Sequence, residues 1–170
     1  SLKKLAEDSA DFVKSSVPDN TLLKVELPED DINIEADPVQ INQIFINIIN
    51  NALYAMENKN GVIGLSLSKI TASPDNLVGL EPGREYAAIS IKDKGCGIPK
   101  EISSRIFDPF FSTKPKGEGS GMGLSVALGI AKKFRGKLVL ESAPNSGSDF
   151  FFYLPVSYKE ISTCEGQEIR

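Results

Sequence analysis

The chain has 170 residues, 41% of them hydrophobic and 25% charged, enough for one soluble domain with a buried core. Its net charge of −4, from 19 Lys and Arg read as scattered among 23 Asp and Glu, argues against a nucleic-acid partner. Histidine is absent, which removes serine–histidine triads and imidazole acid–base chemistry together. Cys96 and Cys164, far apart and without ligand spacing, point to neither a disulfide framework nor a zinc site.

From the start, Leu2, Leu5, Ser9 and Phe12-Val13 recur at helical spacing over residues 1–16, and Pro18-Asp19 ends the pattern. This predicts the tail of a longer helix entering the domain. Leu22 to Leu27 reads as a strand, Pro28 to Asp31 as an acidic turn, and Ile32 to Ala36 as a second short strand. Asp37-Pro38 then opens a helix, with Asp as N-cap and Pro at the first helical position. Ile41, Ile44, Phe45, Ile48, Ala52, Ala55 and Met56 mark one apolar face of it, and it stops near Asn58 to Gly61.

Ile63, Leu65 and Leu67 alternate with small residues as in a half-buried strand, and a polar loop runs from Thr71 to Arg84. Ala87, Ile89 and Ile91 form a second alternating strand that runs into Asp93. A short helix carries Ile102 and Ile106, Asp108 to Gly123 is irregular, and a helix follows from Leu124 to about Phe134. Strands Lys137–Glu141 and Asp149–Leu154 flank an Asn145-Ser146-Gly147 turn, and a polar tail follows Val156. The order of elements predicts a mixed sheet with helices on one face. No run of about 18 apolar residues and no charged-then-apolar leader occurs. The expected setting is cytoplasmic and without membrane contact by this domain, with room for an anchor elsewhere in the parent protein.

Three constellations carry chemistry. Asn47 and Asn51, four apart, project from one face of the long helix, with Asn42 and Asn50 nearby. Four asparagines work against a helix by about 2 kcal/mol. They are either solvated or bound to neighbouring loops, or a side-chain carbonyl binds Mg²⁺, which takes its charge partners from substrate phosphates. Asp93-Lys94-Gly95-Cys96-Gly97-Ile98-Pro99 ends a strand. Its carboxylate suits a donor such as an adenine amino group, and its glycines admit a flat base, although a tight strand-to-helix turn has the same look. Gly117-Glu118-Gly119-Ser120-Gly121-Met122-Gly123-Leu124-Ser125 follows Phe107-Asp108-Pro109-Phe110-Phe111-Ser112-Thr113-Lys114 and runs into a helix start. It is either a flexible linker or a row of backbone N–H donors for phosphates, with Lys114 and Lys116 as added charge. It fits neither a Walker loop nor the dinucleotide fingerprint.

In this order and spacing the chain resembles the catalytic ATP-binding domain of bacterial sensor histidine kinases, in the wider group of gyrase, mismatch-repair and heat-shock chaperone ATPases. Asn47 to Ala52 is similar to the family's asparagine box, Asp93 to Pro99 to its first glycine box, Ile106 to Lys114 to its phenylalanine box and Gly119 to Ser125 to its second glycine box. Gly136 to Pro155 is similar to its last hairpin. The likeness covers about residues 20 to 156, and Asn-Ala-Leu-Tyr-Ala-Met with Pro-Phe-Phe-Ser-Thr-Lys leans toward the nitrogen-regulation-like branch.

The resemblance implies an α/β (α+β) two-layer sandwich, the Bergerat ATP-binding fold, with a mixed, mostly antiparallel sheet on about three helices. ATP would lie between the asparagine helix and a lid spanning about Asp108 to Gly123. It implies Asn51 as the Mg²⁺ ligand with Asn47 assisting, Asp93 on the adenine amino group, and Gly95, Gly97 and Ile98 beside the base. Phe107, Thr113, Lys114, Gly119, Ser120, Gly121, Met122, Gly123 and Leu124 would complete the nucleotide site, with Lys114 and, by position, Arg105 as candidates for phosphate charge. Two departures stand out: Arg135-Gly136 replaces the usual Gly-Gly, and Asp149 stands where Thr is common. Both are expected to alter packing rather than nucleotide binding.

The implied activity is that of a transferase, a protein histidine kinase of two-component signalling that donates the γ-phosphate of Mg-ATP. The implied partners are an upstream dimerisation domain bearing the phosphoacceptor histidine, in a homodimeric parent, and a response-regulator receiver domain. The implied division is residues 1–17 as the end of a linking helix, 18–156 as the ATP-binding domain and 157–170 as a polar tail. The alternatives are an ATP-hydrolysing conformational switch or a serine-kinase module of the same fold. Hydrolytic relatives place a Glu one turn before the metal-binding Asn; here that position is Asn47, an amide that cannot serve as a base.

Overall fold

The computed structural model of the chain describes residues 1–15, 17–56, 60–76, 78–115, 117 and 119–158. Asn58 in the predicted helix stop, the phosphate candidate Lys116, and residues 159–170 of the predicted tail, with Cys164, lie outside them.

In chain order the elements are α1 (Leu2–Lys14), β1 (Thr21–Glu26), α2 (Pro38–Ala55), β2 (Gly61–Thr71) and β3 (Glu85–Lys92). There follow α3 (Lys100–Ser103), a 3₁₀ turn (Arg105–Phe107), α4 (Gly123–Lys133), β4 (Lys137–Ser142) and β5 (Ser148–Pro155). The strands form one five-stranded sheet in the order β1-β2-β3-β5-β4. β1 and β2 run parallel, Leu23 beside Ile63, because α2 carries the chain across between them; the other pairs are antiparallel.

Strand alternation decides which face is buried. Ile63, Leu65, Leu67, Ala87, Ile89, Ile91, Phe150, Phe152 and Leu154 meet the apolar faces of α1, α2 and α4 in one core. On α2, Ile41, Ile44, Phe45, Ile48 and Ile49 are buried. Their removal from water contributes about 8–15 kcal/mol gross, several times the about 2 kcal/mol that four asparagines cost the helix. Asp37 caps α2 as expected, its Oδ1 accepting from Val39 N–H at 2.8 Å, and Pro38 opens the first turn.

Several expectations change in detail. The predicted strand Ile32 to Ala36 reduces to a single bridge, Ile34 to Val156. The short helix with Ile102 and Ile106 is split by Ser104 into α3 and the 3₁₀ turn, and Ile106 is its buried member. The loop between β2 and β3 folds its own small core of Ala72, Leu80 and Tyr86, organised by Asn76, whose Oδ1 accepts from Leu80 N–H at 2.8 Å. The cations are not all scattered: Lys132, Lys133, Arg135 and Lys137 gather where α4 ends and β4 begins.

Helix α1 packs into the same core as the rest through Leu2, Ala6, Ala10 and Val13. It is also tied polarly, as buried Ser9 donates to Asn42 Oδ1 at 2.6 Å on α2. Asn42 therefore belongs to the helix–helix seam. Among the described residues, no helix is long and apolar enough to cross a membrane.

Both departures from the family pattern find a structural setting. Arg135 takes φ of 57° at the end of α4, where Gly136 N–H bonds to Ala131 O at 2.8 Å and Arg135 N–H to Lys132 O at 3.0 Å. This is a Schellman closure with arginine at the position where glycine is usual. Asp149 accepts from Ser90 Oγ at 2.6 Å and lies 3.5 Å from Lys92 Nζ, on the sheet face away from the helices.

Candidate functional site

The four motif segments converge on one cavity of about 650 Å³ between α2 and the irregular chain before α4. A second cavity of similar size lies at the other end of α4, beside Lys133, Phe134 and Arg135, and contains none of the motif residues.

One wall is α2. Asn47, Asn51 and Tyr54 fall at i, i+4 and i+7, one stripe of the helix, and all three line the cavity with Asn50 beside them. From Asn47 to Ala55 this wall runs about 12 Å at 1.5 Å per residue. At its start Asn47 Nδ2 donates to the Gly123 carbonyl at 3.1 Å, tying the stripe to the first turn of α4. That assignment leaves Oδ1 as the acceptor end of the amide.

The opposite end is the turn after β3. Asp93 is 2% exposed and lines the cavity. Its Oδ1 accepts from Gly95 N–H at 2.7 Å, which closes the turn. The turn is braced from outside by the β4–β5 hairpin, through Asp93 N–H to Ser148 O (2.8 Å), Asn145 N–H to Cys96 O (2.7 Å) and Ile98 N–H to Ser142 Oγ (2.8 Å). Gly97, at φ 69°, lies so close to the hairpin that an added Cβ would overlap the Ala143 carbonyl oxygen. Glycine is needed there on both counts.

The third wall comes from two stretches, 111–114 and 119–124. Its two limbs are joined by Phe110 N–H to Gly121 O at 3.0 Å. Thr113, Lys114, Gly119, Ser120, Gly121, Gly123 and Leu124 line the cavity. Lys114 Nζ stands 4.2 Å from the centroid of the Tyr54 ring and 3.5 Å from Asn51 Oδ1. Asp93 and Lys114 are the charged residues of the described lining.

The start of α4 differs from that of α2 in one consequential way. Met122, at its N-cap, makes no side-chain capping bond. The N–H groups of the first turn therefore have no side-chain cap at the positive end of the helix dipole, the kind of place where helices accept anions.

Most sequence-predicted site residues line this cavity, and four of those described do not. Gly95 is buried against α2, where an added Cβ would come within 2.5 Å of the Ala55 carbonyl oxygen. Phe107 packs against the core, and Met122 is exposed at the α4 N-cap. Arg105 lies outside the lining too, its guanidinium 4.6 Å over the Phe111 ring. Sequence reasoning gave no role to Tyr54, Ser148 or Phe150. Tyr54 was findable from its place on the Asn47–Asn51 stripe, whereas Ser148 and Phe150 arrive through sheet pairing alone.

Residues 36–158 match the model of the family described as Histidine kinase-, DNA gyrase B-, and HSP90-like ATPase. The chain belongs to this family. It is an ATP-binding catalytic domain of the histidine-kinase kind, and its curated relatives are sensor kinases. It is 42% identical over 123 residues to Sporulation kinase C of Bacillus subtilis, covering 72% of this chain and 25% of that protein. It is 33% identical over 156 residues to the Sensory histidine kinase/phosphatase NtrB of Klebsiella oxytoca, covering 92% and 43%. The chain thus spans from a quarter to under half of these relatives. Among solved structures, the catalytic domain of histidine kinase ThkA superposes with a TM-score of 0.71 at 29% identity, over 91% of each chain.

Proposed function

We propose that this ATP-binding domain donates the γ-phosphate of Mg-ATP to a histidine on a separate dimerisation domain, as the catalytic part of a two-component sensor kinase. The observation that carries the proposal is the convergence of the asparagine stripe, the Asp93 turn and the uncapped start of α4 on one cavity. The chain contains no histidine, so the phosphoacceptor is supplied from elsewhere.

The cavity is polar in opposite senses at its two ends. The Asp93 carboxylate is the acceptor for the adenine amino group, and the glycine turn with Ile98 flanks the base. Asn47, Asn51, Lys114, Gly119, Ser120, Gly121, Gly123 and Leu124 hold the phosphate end, with donors from the first turn of α4.

The donor set fits Mg²⁺. Asn51 Oδ1 already faces a cation, the Lys114 ammonium at 3.5 Å, and an amide oxygen suits a hard ion that keeps waters and takes its charge partners from phosphates. Asn51, with Asn47 beside it, would hold the ion, which neutralises phosphate charge when bound. The protein's share of phosphoryl transfer is positioning and charge compensation.

Asn47 separates this reading from a hydrolytic switch. Its amide is bonded to the Gly123 carbonyl and cannot take a proton from water, which leaves the γ-phosphate for another acceptor. The downstream receiver domain of a response regulator is part of the same proposal, as is a cytoplasmic setting. Incubation with γ-labelled ATP, with and without the histidine-bearing dimerisation domain of the parent protein, tests it. The expected result is label on that domain and slow phosphate release from the chain alone. Rapid release without the partner would favour the hydrolytic switch.

A further inference from the structure

We propose that the Tyr54 ring is the seat of the lid lysine, a positioning residue that sets the Lys114 ammonium beside the Asn51 oxygen, in the middle of the α2 wall. This rests on the nucleotide-binding role proposed above and names the residue that aims its cation.

The α2 wall carries amides and a phenol but no charge; the one cation in the described lining comes from the opposite limb. A lysine on an irregular segment has a long, flexible stem and, without a partner, spreads its charge over many rotamers. Among the described residues, three contacts confine it here. The Nζ lies 4.2 Å from the Tyr54 centroid, inside the about 6 Å range of a cation–π attraction. It lies 3.5 Å from Asn51 Oδ1, three residues earlier on the same helix. On the other side Gly119 packs against the stem: an added Cβ there would come within 3.0 Å of Lys114 Cδ and 3.2 Å of Ser112 Oγ. The lysine is held between a ring on α2 and a glycine of the lid.

This arrangement explains two residues at once. Tyr54 continues the Asn47–Asn51 stripe by one turn, so a cation resting on its face is delivered next to the Asn51 oxygen. Gly119 leaves room beside the lysine stem, where a methyl group would be a tight fit. When metal-bound phosphates arrive, the ammonium gives up its contact with Asn51 Oδ1. The ring face keeps it within a side chain's reach of the terminal phosphate.

Calorimetric titration of the chain with Mg-ATP and Mg-ADP tests this. Tyr54→Leu is expected to weaken Mg-ATP binding by about 3- to 30-fold, the range of a partly desolvated cation–π contact, while changing Mg-ADP affinity much less. Tyr54→Phe keeps the ring face and should bind like the parent. Tyr54→Leu combined with Lys114→Met should be no weaker than Lys114→Met alone, since both remove one interaction. Parent-like Mg-ATP affinity in Tyr54→Leu, additive losses in the double variant, or a Tyr54→Phe protein as weak as Tyr54→Leu would each overturn the seat. Absence of Mg-ATP binding by the parent chain would instead overturn the functional reading itself.

Discussion

Gly97→Ala is the substitution in which backbone geometry and nucleotide binding are most tightly joined. The residue sits at φ 69°, and an added Cβ would overlap the Ala143 carbonyl oxygen, with Gly147 O at 3.2 Å behind it. Holding a residue with a Cβ in the left-handed region costs about 1–2 kcal/mol. Relief of the overlap requires the 93–98 turn and the β4–β5 hairpin to separate. That stretches Asn145 N–H to Cys96 O (2.7 Å) and Ile98 N–H to Ser142 Oγ (2.8 Å), each worth about 0.5–1.5 kcal/mol. The sum is about 2–5 kcal/mol of stability. Because Asp93, Cys96 and Ile98 line the cavity on this same turn, Mg-ATP affinity should fall with it. Gly129→Ala is the matched control, since that glycine lies inside α4 with nothing within 4 Å of an added Cβ. It should stabilise by about 0.5–1 kcal/mol. Thermal melting and calorimetry on both variants read the difference. If Gly97→Ala melted and bound nucleotide like the parent, the claim that the hairpin braces the base-side turn would be wrong.

Asn51→Asp is expected to abolish nucleotide binding with the fold retained. The new carboxylate would face the Lys114 ammonium now 3.5 Å from Asn51 Oδ1, closing the site while adding negative charge toward phosphates; unchanged Mg-ATP affinity in calorimetry would retire the assignment. Asp93→Ala should likewise eliminate nucleotide binding, and, by removing the acceptor for Gly95 N–H, lower stability by about 1–3 kcal/mol in denaturant unfolding. Arg135→Gly should stabilise the fold. It relieves the about 1–2 kcal/mol left-handed cost against about 0.5–1 kcal/mol of added unfolded-chain freedom, so the melting temperature rises by up to about 6 °C with nucleotide affinity unchanged.

What was legible in the sequence was what local physics writes there. Asp37-Pro38 and the apolar spacing from Ile41 to Ala52 announce α2, and alternation announces β2 and β3, because capping and burial act within a few residues. The segments that line the cavity stood out through glycine spacing and the asparagine pair, and the family resemblance joined them into one expected site. What was not legible comes from long-range pairing. Ile32 to Ala36 has strand-like residues, yet it forms only an isolated β-bridge, Ile34 to Val156 just past β5. The bracing of the Asp93 turn by Ser142, Asn145 and Ser148 depends on the hairpin's placement, which no window around residue 93 contains. Gly95 looked like Gly97 in sequence, but one faces Ala55 and the other the hairpin. Tyr54 shares a stripe with Asn47 and Asn51, which the sequence shows, but the Lys114 ammonium over its face comes from a segment 60 residues away.

The whole account depends on an adenine nucleotide spanning α2 from the Asp93 turn to the start of α4, with its metal at Asn51. Isothermal titration of the folded chain with ATP, in magnesium and in excess chelator, measures this directly. The account predicts saturable binding that weakens sharply when magnesium is withdrawn. Equal affinity in both conditions would contradict the metal assignment, and no heat of binding in either would contradict the site.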